Sequence, residues 1–127
     1  MNPIKDELLG PPSLKIIEKY GIFFRYIYPM LINMGGKHRI MRDEVLKQVI
    51  GQIGLFNDAA KSDQVSRLRL ADAGLSTIRD FLRILSDHNI KLLNPRRYGV
   101  ATTLLAEVGA MTGEWIRKME KKKGCNG

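Results

Sequence analysis

Between Gln64 and Leu85 the sequence QVSRLRLADAGLSTIRDFLRIL returns to an apolar side chain every three or four residues. Val65, Leu68, Leu75, Leu82 and Leu85 carry the pattern, and Ile78 and Phe81 widen it. On an α-helix this spacing gathers them on one stripe, which the rest of the chain has to cover. The stretch is thus the central helix of a helical core. Asp72 and Arg79 fall on the same heptad seam. A buried charge without a partner is costly, so each must be paired or lie at the edge of the stripe.

Three more stretches have the same periodicity. Residues 1–12 close on Gly10-Pro11-Pro12 and read as an extended lead-in, with Ser13 as N-cap of the first helix. Ile17, Tyr20, Phe24, Ile27 and Leu31 form its seam, while Lys15, Glu18, Lys19 and Arg25 lie off it. Pro29 removes a backbone hydrogen bond near Arg25, so the last turn is expected to kink or the helix to end early. Asn33 to Gly36 ends it in any case.

The second pattern runs from about Ile40 to Ala60, with Val45, Leu46, Val49, Ile53 and Phe56 inward. Gly51 and Gly54 interrupt it. Each costs about 1 kcal/mol relative to Ala in a helix interior, so close approach of a neighbouring backbone or aromatic ring is the expected compensation. Ser62 or Asp63 is the expected N-cap of the central helix, whose end Asp87, His88 and Asn89 mark.

The fourth helix opens with Asn94 as N-cap and Pro95 at the first helical position, where the missing N–H does no harm. Ala101, Leu104, Val108, Met111 and Trp115 continue the alternation, flanked by Leu105, Ile116 and Met119. Beyond Trp115 the chain turns basic, and residues 123–127 are expected to be extended or frayed. Four helical patterns of about twenty residues, short loops and no alternating strand pattern specify an all-α, up-down-up-down four-helix bundle. The 127 residues fit one such domain.

A hydrophobic content of 44% with 27% charged residues belongs to an ordinary globular chain. The single cysteine, Cys125, excludes a disulfide framework and a cysteine-pair metal site. No apolar run is long enough to span a bilayer, and MNPIKDELL has acids where a signal peptide needs a basic region and an apolar core, so a cytoplasmic protein is expected. The net charge is +8, and residues 91–127 supply +5 of it. Such a field favours polyanions, whose counterions are released when Lys and Arg replace them. A cation cluster at a helix C-terminus also suits the helix dipole, which accounts for part of it without any partner.

Catalytic chemistry finds little support. Metal sites in bundle cores use Glu-x-x-His pairs, and neither His38 nor His88 stands three residues after a Glu. Glu107 and Glu114 are seven apart, roughly 10 Å along a helix, too far to share a proton. No phosphate-binding Gly loop or activated nucleophile motif is present. Neither a metal nor a cofactor is expected.

Several short segments together resemble the accessory variability determinant (Avd) family of diversity-generating retroelements. These are Tyr26-Ile27-Tyr28-Pro29, Lys37-His38 with Arg42-Asp43-Glu44, Gly51-Gln52 to Leu55-Phe56, Gln64-Val65-Ser66, Ala71-Asp72-Ala73-Gly74-Leu75, Leu82-Arg83, and Ala106-Glu107-Val108-Gly109 with Trp115-Ile116. The resemblance covers residues 13–122, and its wider superfamily includes proteins encoded in intervening sequences of ribosomal RNA genes. It implies a non-enzymatic, bacterial or phage-encoded protein that forms a homopentameric barrel. Such a protein binds the reverse transcriptase and nucleic acid, both template RNA and cDNA, and supports mutagenic retrohoming. Position and charge give Arg79, Arg83, Arg96, Arg97, Arg117 and Lys121 as candidate contacts. A rival reading takes Arg83 and His88 as the Arg-x4-His of HEPN ribonucleases, although the residue after the Arg, usually polar there, is Ile84 here.

Overall fold

A computed structural model describes residues 12–126 of the chain. Four α-helices, α1 (Pro12–Ile32), α2 (Arg39–Ser62), α3 (Val65–Leu85) and α4 (Pro95–Asn126), and a 3₁₀ turn at Gly36–His38 make up its regular structure, with no strand among the described residues. The helices pack in the ring α1–α2–α3–α4–α1, as expected of an up-down-up-down bundle. The expected lead-in lies outside the described residues up to position 11. Pro12 already opens α1, which places Ser13 inside the first turn rather than at the cap.

Each helix buries the face its sequence pattern predicts, with small rotations. In α1 the innermost residues are Ile16, Tyr20, Phe23, Ile27 and Leu31, so Ile17 and Phe24 become partly covered flanks. Leu68, Leu75, Ile78, Leu82 and Leu85 of α3 are fully buried, and Asp72 and Arg79 sit at the edge of that stripe. In α4 the seam runs Ala101, Leu105, Val108, Thr112 and Met119. Thr112 is tolerated inside because its hydroxyl donates to the Val108 carbonyl at 2.8 Å.

Pro29 does not end α1, which continues to Ile32. Pro29 and Arg25 are both on the exposed side, where solvent can take the place of the donor lost at the Arg25 carbonyl. The α2–α3 junction also differs from expectation. Ser62 is the last residue of α2, Asp63 adopts the left-handed conformation (φ 54°) as C-cap, and Gln64 occupies the N-cap position of α3 without a side-chain cap. The α4 start follows the sequence: Asn94 Oδ1 accepts the Arg97 N–H at 2.8 Å. Its 32 residues extend through Asn126, past the expected fraying point, and correspond to about 48 Å at 1.5 Å per residue. The distal part packs Met119, with Trp115 and Ile116, against Ala59 and Leu68.

The glycines reverse their expected roles. Gly51 and Gly54 are exposed, and a Cβ at either would meet nothing within 4 Å. The close approach lies instead at Gly74 of α3, where a Cβ would overlap the buried side chain of Gln52 and touch Leu55 Cδ1 at 3.0 Å.

Candidate nucleic-acid and partner interface

The antiparallel topology divides the six candidate cations between the two ends of the bundle. Arg83 lies in the last turn of α3, while Arg96 and Arg97 lie in the first turn of α4 at the same end. Arg117 and Lys121 lie about 30 Å further along α4 at 1.5 Å per residue. No single contact patch of this chain can therefore include all six.

Arg79 is one turn before Arg83, and both are exposed. Glu107 takes Lys19 as its partner at 3.1 Å, leaving Arg79 to lie across the α3–α4 seam toward Gly109. A Cβ on Gly109 would stand 3.7 Å from Arg79 Nη2. Among the described residues Arg79, Arg83, Arg96, Arg97 and Lys121 have no ion-pair partner, whereas Arg117 is engaged by Glu114 on its own helix. Arg69 and Glu120 form a further α3–α4 pair.

The electrostatics of the two ends differ. Lysines and arginines late in α4 lie toward its negative dipole end, which stabilises them locally. Arg96 and Arg97 lie at the positive end, in a first turn with no acidic residue. That placement opposes the dipole and leaves the helix with no local benefit from either charge. Lys37 in the α1–α2 connection, Arg39 at the start of α2 and Lys91 in the α3–α4 connection join the same end. Summing charge along the sequence does not group these three with Arg83, because their proximity follows only from the alternating helix directions.

Between the end of α1 and the α3–α4 connection lies an open groove of about 550 Å³. Met30, Met34 and Leu92 line it together with Asn33, Lys91 and Arg97. Lys91 holds a left-handed backbone, φ 53°, and its N–H donates to the Asp87 carbonyl at 2.8 Å.

Arg83 and His88 are both exposed, the helix ending between them at Leu85, and no hydrogen bond joins their side chains. Burial pushes the Tyr20 phenol well above its ordinary 10.0. No cluster of three or more His, Cys, Asp or Glu side chains among the described residues could hold a metal ion. No helix among them is long and apolar enough to cross a membrane.

A family model described as bAvd-like matches residues 14–119. The chain belongs to the bAvd-like family. The Avd resemblance read from the sequence is thereby supported over nearly the same range, and with it membership of an accessory-protein family. No curated protein matches the chain. The matched segment of this bAvd-like protein covers α2 and α3 whole and most of α1 and α4, and ends before Lys121, the most distal candidate cation.

Proposed function

We propose that this bAvd-like protein is a non-enzymatic accessory that binds the reverse transcriptase and nucleic acid of a diversity-generating retroelement. It acts in the cytoplasm as a closed homo-oligomer, a pentamer by family resemblance, and supports mutagenic copying of template RNA into cDNA. The observation that carries this reading is the basic end of the bundle. Arg83, Arg96 and Arg97 converge there without ion-pair partners among the described residues, and two of them oppose the helix dipole. Cations held at a local electrostatic disadvantage suit an anionic partner.

The oligomer draws support from the outer faces of α2 and α4. On α2, exposed Gly51 and Gly54 accompany Ile50 at 50% and Ile40 at 81% exposure. On α4, Gly99, Ala106 and Gly113 recur at heptad spacing, with open space where the glycine Cβ atoms would be. Nothing among the described residues offsets the helix cost of these glycines, and a helix of another copy approaching closely would.

The test is binding to purified reverse transcriptase and to template RNA over a salt series. The double substitution of Arg79 and Arg83 by Ala is expected to weaken binding and flatten its salt dependence while the helix signal stays unchanged. Unaltered affinity and slope in that folded variant would remove these arginines from the interface; no binding by the natural protein would remove the proposal.

A further inference from the structure

The groove beside the α3–α4 connection combines three kinds of side chain seldom brought together by packing alone. Met30 in the last turn of α1 and Met34 just past its end form an apolar floor with Leu92. Asn33 is exposed beside them, with no hydrogen bond from its side-chain amide among the described residues. Lys91 and Arg97 stand at the rim, neither in an ion pair among the described residues.

The rim is fixed. Lys91 N–H donates to Asp87 O at 2.8 Å, while the Leu92 and Leu93 N–H groups both reach Leu85 O, at 2.9 and 3.0 Å. A lysine thereby holds a left-handed backbone conformation that L residues adopt only at a cost. On the opposite wall the Asn33 and Met34 N–H groups are engaged by Pro29 O and Leu31 O. The main-chain donors of these five residues are thus occupied, which disfavours a peptide that adds along the backbone as a strand. The side chains offer thioethers, one amide and two cations.

We propose that this groove takes one unpaired nucleotide of a single-stranded RNA, with the base on Met30, Met34 and Leu92, its edge toward the Asn33 amide, and the flanking phosphate at Lys91 and Arg97. The inference rests on the nucleic-acid binding proposed above and adds to it a preference for unpaired over duplex strands. Thioether sulfurs make favourable contacts with aromatic rings. A volume of about 550 Å³ falls in the range of roughly 300–1,000 Å³ typical of small-molecule sites. A base inside a duplex cannot present its face to such a floor, whereas a splayed base can.

The test uses the full chain, a short fluorescein-labelled single-stranded RNA of mixed sequence, and the same sequence as a blunt duplex. Asn33→Ala is expected to weaken single-strand binding by about two- to tenfold, the effect of one lost hydrogen bond, and to leave duplex binding unchanged. Arg97→Gln is expected to lower the single-strand salt slope by about 0.7. Photocrosslinking with 4-thiouridine-substituted RNA is expected to label Met30, Met34 or Leu92. Equal losses on both probes, or crosslinks only elsewhere on the bundle, would overturn the groove while leaving general nucleic-acid binding in place. Failure of the natural protein to bind either probe would remove both. Binding of an acidic peptide that is lost in Asn33→Ala, with RNA binding intact, would reassign the groove to a protein partner.

Discussion

Gln52 of α2 lies where a side chain on Gly74 of α3 would have to be. Its Nε2 donates to the Ala71 carbonyl at 2.7 Å, its Oε1 has no hydrogen-bond partner among the described residues, and the residue is completely buried. The pair fixes how closely α2 and α3 approach. Gly74→Ala gains about 1 kcal/mol of helix propensity but forces the amide out of its slot, for a net loss of about 1–3 kcal/mol. Denaturant unfolding of both single variants and of Gln52→Ala with Gly74→Ala checks this. Once the amide is gone the alanine is expected to be tolerated, a coupling that independent sites do not show.

Gly51 and Gly54 predict the opposite sign. A methyl group at either meets open space, so each alanine is expected to stabilise the isolated chain by up to about 1 kcal/mol. If the outer face of α2 packs against another copy, the same substitutions weaken assembly. Light scattering and thermal melts of Gly51→Ala with Gly54→Ala are expected to show a hardier chain and a smaller particle. A stabilised variant of unchanged mass would detach these glycines from the assembly.

The contrast between these glycines shows what the sequence makes legible. Periodicity alone gives four helices, their order and most of the core, and Asn94-Pro95 gives the α4 start because a cap is a local chemical device. Which glycine sits beneath a neighbour depends on the rotation of two helices about their axes. A rotation small enough to exchange Ile17 and Phe24 for Ile16 and Phe23 is invisible in a spacing count. The Ser62–Gln64 junction departs from expectation for a related reason: Ser62 and Asp63 are both common N-cap types, and the left-handed turn at Asp63 moves the helix start past them. The basic end is legible only in part. Arg96 and Arg97 stand out by charge density, whereas Lys37, Arg39 and Lys91 reach the same end through chain reversal.

Tyr20 gives a prediction in pH. Its phenol is buried against Phe23 and Phe56, with ring centroids 5.6 and 5.9 Å away, and donates to Val49 O at 2.6 Å. Burial raises its folded-state pKa above the ordinary 10.0, so the folded protein keeps a proton that the unfolded chain loses. The contribution is complete below pH 10.0 and declines as pH rises above it toward the folded-state value. Tyr20→Phe is expected to lose about 1 kcal/mol at neutral pH and to show a shallower decline above pH 10.0 than the natural protein. Parallel declines would place the alkaline sensitivity elsewhere.

Arg96 gives the sharpest separation of fold from function. It occupies the first turn of α4, where backbone N–H groups point outward and the dipole favours an anion, yet that turn contains no acid. Arg96→Glu exchanges an unfavourable charge for a favourable one. It leaves the Asn94 cap in place and is expected to raise stability by about 0.5–1.5 kcal/mol. If the basic end receives phosphates, the same change removes one cation and adds repulsion, so single-strand affinity falls and the salt slope drops by at least about 0.7. Stability and binding then move in opposite directions, a result that misfolding cannot produce. A more stable variant with undiminished binding would show that Arg96 is a surface charge with no share in the interface.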